Sequence, residues 1–127
     1  MRYPRFSHHE IITNLKFSEE GNTFYLTGRE EKAITIFTLP RNHGSFKIST
    51  LLINRIVTDF EVFPYFEAIL ISDDTHDLRL LHEPTRTVYQ HQSLSHIVKM
   101  KDRNLKIQKT SKSEFMVFQT YLVTFFL

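Results

Sequence analysis

Residues 14–39 read NLKFSEEGNTFYLTGREEKAITIFTL. In Leu15-Lys16-Phe17 and again in Ala33-Ile34-Thr35-Ile36-Phe37, apolar side chains recur at every second position. That period places them on one face of an extended strand, because successive side chains of a strand point to opposite sides. Ser18-Glu19-Glu20-Gly21-Asn22 and Gly28-Arg29-Glu30-Glu31 interrupt the runs with residues that favour turns, and Gly21 takes a positive φ at little cost. A wider break follows at Pro40-Arg41-Asn42-His43-Gly44. The pattern predicts a meander of four short strands at about residues 11–17, 23–27, 33–38 and 46–52. No window shows an apolar stripe at helical spacing behind an N-cap, so the expected class is all-β.

The pattern recurs. Ile56-Val57-Thr58-Asp59-Phe60-Glu61-Val62 repeats Ile11-Ile12-Thr13-Asn14-Leu15-Lys16-Phe17 at an offset of 45 residues. Thr23-Phe24-Tyr25-Leu26-Thr27 matches Ala68-Ile69-Leu70-Ile71-Ser72 at the same offset, and Ile34–Phe37 matches Leu78–Leu81 with one residue deleted. A weaker third copy is read with Val98-Lys99-Met100 as its first strand, Leu105–Lys109 as its second and residues 115–118 as its third. The expected units are about 7–52, 53–93 and 94–127. A four-stranded unit of this length, apolar on both faces, cannot bury both faces alone, so neighbouring units are expected to stack.

The residues SHHEIITNLKFSEEGNTF, then YLTGREEKAITIF, resemble a divergent WD repeat of the β-propeller family. The resemblance implies four-stranded antiparallel propeller-type blades, two good and a degenerate third. It also implies a hydrogen-bonded tetrad mapping to His9, Thr27, an acid at Glu30 or Glu31, and Phe37. In the second unit the same places hold Asn54, Ser72, Asp74 and Leu81. The chain has no Trp, and Phe or Leu in the Trp place lacks the indole N–H donor, so the tetrad is incomplete in both units. Three blades are too few to close a ring, and the expectation is a partial or truncated propeller whose apolar end, residues 115–127, runs out of frame.

Function follows from the same reading. Zero Cys excludes disulfides and thiolate chemistry. The three isolated Gly form no phosphate loop, and no Gly-x-Ser-x-Gly elbow is present. His8, His9 and Glu10 would alternate across a strand, while Asp73, Asp74, His76 and Asp77 fall in a predicted hairpin turn, where Asp bonds its own backbone. No catalytic residue, metal site, cofactor or small-molecule substrate is therefore expected. The start has no apolar h-region, and the uncharged end is shorter than the roughly 20 residues of a spanning helix, so an intracellular, cytoplasmic or nuclear address is expected with no membrane partner.

The resemblance implies a non-catalytic protein–protein interaction scaffold, part of a larger complex with other protein subunits. Its contact residues are expected on rim loops at residues 28–31 and 73–76 and on the links at 54–55 and 91–94, namely Arg29, Glu30, Arg55, Asp74 and His76. The alternative is nucleic-acid binding. Residues 99–112 carry six bases against Asp102, and Lys99, Lys101 and Arg103 alternate as one strand face requires.

Overall fold

The computed structural model describes residues 12–18, 22–40, 44–98 and 103–119. Ten strands follow in chain order: β1 (Ile12–Phe17), β2 (Thr23–Gly28), β3 (Ala33–Thr38), β4 (Lys47–Leu52), β5 (Val57–Phe63), β6 (Ala68–Asp73), β7 (Asp77–His82), β8 (Thr87–Ser93), β9 (Leu105–Lys109) and β10 (Phe115–Gln119). A 3-10 turn, Pro64–Phe66, joins β5 to β6. β1 to β4 form one antiparallel sheet in chain order, β5 to β8 form a second, and β9 with β10 makes a hairpin. Neither four-stranded sheet closes on itself.

The two sheets are copies in register as well as in order. Each carries a β-bulge in its first strand, between Ile12 and Asn14 and between Val57 and Asp59, the same place 45 residues apart. Thr13 Oγ1 donates to the Thr27 carbonyl at 3.3 Å, and at the equivalent site Thr58 Oγ1 meets Ser72 Oγ at 3.0 Å. Leu39 N donates to Asn22 O at 2.7 Å, and Glu83 N to Glu67 O at 2.8 Å. A bulge sharpens strand twist, so its repetition gives both sheets the same shape for stacking.

Packing follows from the alternation. Tyr25, Ile34, Ile36 and Leu51 project from one face of the first sheet onto Phe60, Val62, Ile69, Ile71 and Leu81 of the second, and all are buried. The opposite face of the second sheet supplies Phe63, Ala68 and Leu70 to a smaller core with Ile107, against which Leu78, Leu80 and Val117 pack. Phe63 and Phe115 meet edge to face, with centroids 5.9 Å apart. The second sheet is apolar on both faces because it lies between two neighbours.

The third copy is set differently from the sequence reading. β9 packs against β5 and takes the place that β5 takes beside β1, so Leu105–Lys109 stands as a first strand and not as a second. β10, read as a third strand, is the partner of β9. The constant offset explains the arrangement: Asn14-Leu15-Lys16-Phe17, Asp59-Phe60-Glu61-Val62 and Asn104-Leu105-Lys106-Ile107 fall 45 residues apart. Met100 and the Lys99 beside it lie outside the described residues. Among the described residues no helix is long and apolar enough to cross a membrane.

Candidate functional site: the edge where turns and links meet

The hairpin turn after β2 and the link between the sheets are tied by backbone bonds. Ile53 N donates to Lys32 O at 2.9 Å and Val57 N to Glu31 O at 2.9 Å. The turn after β6 joins the same edge, with Asp74 N donating to Ile56 O at 3.1 Å and Leu94 N to His76 O at 2.9 Å. Residues 29–32, 53–57, 74–76 and 94 thus form a continuous rim. Arg29, Glu30, Arg55 and Asp74 are all exposed on it. Glu30 and Asn54 hold positive φ, of 62° and 67°, which turns the chain sharply at each place.

His76 belongs to the interior of that rim. It too has a positive φ, 63°, but its ring is buried, and Nε2 lies 3.0 Å from the Arg103 carbonyl. A carbonyl only accepts, so Nε2 carries the proton in this bond. The turn aims His76 at the chain entering the third unit, where Gln119 Nε2 also reaches Arg103 O at 2.8 Å. The imidazole is a fastening between units, and the sequence reading of it as an outward contact is corrected. His91, placed on a link, falls within β8.

Asp73, next to the exposed Asp74, is the keystone of the second turn. Its Oδ1 accepts from Thr75 N at 2.9 Å, Thr75 Oγ1 at 2.6 Å and Asp77 N at 3.2 Å. Oδ2 accepts from Arg79 Nη2 at 2.9 Å, and Arg79 Nη1 continues to the Ile53 carbonyl at 3.2 Å. This acid is buried to 1 % exposure; its bonds from Thr75 N and Asp77 N are those expected of Asp in a hairpin turn, while its pairing with Arg79 has no local signal in the sequence. Asp59 does similar work between units: Oδ1 accepts from Phe60 N at 2.9 Å and Oδ2 from Ile107 N at 2.7 Å. Among the described residues no buried side-chain nitrogen or oxygen lacks a partner, and no group of three or more His, Asp or Glu is placed to hold a metal ion. Each carboxylate of this web is consumed by structural bonds.

The tetrad positions divide accordingly. Thr27 is fully buried and donates Oγ1 to Ala33 O at 2.8 Å; Ser72 is fully buried as well, while Phe37 and Leu81 are apolar core. Asn54 and Asp74 are exposed, and His9 lies outside the described residues. The network in the second unit is carried by Asp73, one residue before the expected acid.

The opposite edge holds a second polar pair that the sequence did not signal. Tyr25 of the first sheet donates its hydroxyl to Glu83 of the second, 3.1 Å from both carboxylate oxygens. Burial, followed by the facing carboxylate, holds the Tyr25 phenol far above its ordinary range. Burial also pushes the Glu83 carboxyl upward, against the opposing pull of the Tyr25 hydroxyl and Arg86, while Glu67 adds to the rise. The two residues lie 58 positions apart, and no local pattern links them.

The basic stretch is divided among directions. Lys99 and Lys101 lie outside the described residues. Arg103 gives its carbonyl to the two bonds above, and Lys109 turns inward, donating to Val62 O at 3.0 Å with its ammonium 5.1 Å from the Phe63 ring centre. Lys106 alternates to the face away from the second sheet.

No protein-family model matches the chain, and no curated protein matches it.

Proposed function

We propose that the chain is a non-catalytic interaction scaffold of WD-repeat-like blades that holds another protein subunit against the rim formed by Arg29, Glu30, Arg55 and Asp74. The observation that carries the reading is the chain of backbone bonds linking residues 31, 32, 53, 56, 57 and 74. It fixes four charged, exposed tips of both signs on adjacent turns of a rigid frame. A platform held by backbone bonds loses little entropy on binding, and charged side chains at its surface select partners by complementarity. The blade reading is supported by two sheets of one strand order, one bulge position and face-to-face packing, as propeller units require. Inward use of Lys109 weighs against the nucleic-acid alternative.

The test is affinity purification of the full chain beside an Arg29→Glu/Arg55→Glu variant, with co-purifying proteins quantified. A defined subunit lost from the variant, which melts like the parent, is the expected result. An identical set from both proteins overturns the rim reading. Salt-sensitive binding of a labelled single-stranded oligonucleotide would favour the alternative instead.

A further inference from the structure

The interface between the units is built from a repeated set of positions, and at the two ends of the stack part of each half is exposed: on the outer face of the first sheet Leu26 and Phe37 are 8 % exposed, and the exposed strip is that of β1. On the following side, Phe60 and Val62 are 0 % and 4 % exposed where the second sheet meets the first, and Leu105 and Ile107 are 4 % and 5 % exposed where the hairpin meets the second sheet. Leu15 and Phe17 hold the same positions in β1 and are 47 % and 58 % exposed. The strand pairing defines the other half. Tyr25 opposite Lys16, Leu70 opposite Glu61 and Phe118 opposite Lys106 are equivalent. Tyr25 and Leu70 are 6 % and 4 % exposed against the next unit, but Phe118 is 41 % exposed.

We infer that a second copy of this chain supplies the missing contact, with the Phe118 face of one copy seated on the Leu15–Phe17 face of another. The two surfaces are complementary halves of an interface that the chain already makes twice within itself, so no different partner chemistry is needed. Repetition at both ends makes the contact heterologous. Such contacts close into rings when the rotation allows, and two copies of three units would form a six-unit ring. The inference concerns the ends of the stack and does not depend on what the rim binds.

One charge pair marks the register. Within the chain Lys16 Nζ meets Glu61 Oε2 at 3.1 Å, from the same position of successive units. At the junction between copies that position would bring Lys106 to Lys16, two like charges. Self-association should therefore strengthen with added salt, and Lys106→Glu should tighten it by about three- to ten-fold, the range of an exposed charge pair.

Sedimentation velocity of the full chain over a concentration series tests the proposal. Expected are a reversible dimer or larger species, at least about ten-fold weaker association for Phe17→Glu and for Phe118→Glu alone, and a heterodimer when these two variants are mixed, since each keeps the half that the other lacks. Lys106→Glu, at a position outside either core, keeps the test valid if an aromatic variant fails to fold. A wild-type chain that stays monomeric, with Lys106→Glu equally monomeric, overturns the inference and leaves the ends to residues 1–11, to 120–127 or to a sheet of another protein. Association that survives Phe118→Glu but not Phe17→Glu also overturns it, in favour of face-to-face pairing through β1.

Discussion

Lys16 and Glu61 occupy the same position of successive sheets and meet each other at 3.1 Å. Equivalent residues touch only where equivalent strands stand side by side, so the pair reports that the first strands of the two sheets are neighbours. Asn14 reinforces the geometry by donating Nδ2 to Thr58 O at 3.3 Å, and the residue at its position in the second sheet, Asp59, also reaches the following unit, accepting from Ile107 N. As a partly exposed ion pair the contact adds little energy. Its value lies in fixing how the sheets are registered.

Phe60 and Leu15 share a repeat position but differ in surroundings, one buried between sheets and one half exposed. Phe60→Ala should cost about 3–5 kcal/mol through lost burial and the cavity left behind. Leu15→Ala should cost under about 1 kcal/mol when the chain is dilute. Urea titrations of both variants supply the comparison.

Asp59→Ala should cost about 1–3 kcal/mol, because the buried Ile107 amide loses its acceptor. Asp59→Asn keeps one acceptor oxygen and should cost less. Denaturant melts followed at two wavelengths would give both values, and equal m-values would show that the hairpin still unfolds with the sheets.

In the second turn, Asp73→Ala strips the acceptor from Thr75, Asp77 and the Arg79 guanidinium together. The expected loss is about 3–5 kcal/mol, the cost of removing one partner from a buried ion pair. Asp74→Ala, at the exposed neighbour, should change stability by less than about 0.5 kcal/mol. Thermal melts of the two single variants decide whether the keystone is assigned to the correct acid.

Glu83 gives a pH dependence of defined sign. Its folded-state pKa is raised, so the folded chain binds the proton more tightly than the unfolded chain. The stabilisation is complete below the unfolded value, taken as 4.5, and is lost as pH rises through the folded value. Asp77 works in the opposite sense. Burial pushes its carboxyl up, but bonds from His91, Ser93 and Thr75 with the His91 charge leave it lowered, so its contribution is lost as pH falls. Glu83→Gln keeps an acceptor for Tyr25 while removing one titration. The difference between wild type and variant across pH 4 to 7 should therefore isolate Glu83, with the wild type losing ground to the variant as pH rises.

Much of this architecture was legible at the level of period and offset. Alternation in Ala33-Ile34-Thr35-Ile36-Phe37 and its 45-residue echo identified the strands and the two sheets, because strand faces and repeats are written locally. In the third unit the local similarity at Val98-Lys99-Met100 points to the wrong first strand, and the fixed offset leads to Asn104-Leu105-Lys106-Ile107, beside β5. Arg29, Glu30, Arg55 and Asp74 are exposed, as turn and link residues are expected to be, but His76 is buried. Whether a turn side chain faces water or the next unit depends on a chain 27 residues away, and local composition does not carry that information. The pairing of Tyr25 with Glu83 is hidden for the same reason.

The most direct test of stacked, repeated units is amide hydrogen exchange resolved by NMR at Ile34, Phe60, Ile69 and Ile107. The stack predicts slow exchange at all four, with Ile107 protected by the carboxylate of the unit before it and released selectively in Asp59→Ala. Rapid exchange at Ile107 in the wild-type chain, beside slow exchange in the first two sheets, would contradict the account, since the hairpin would then not be packed as a third unit.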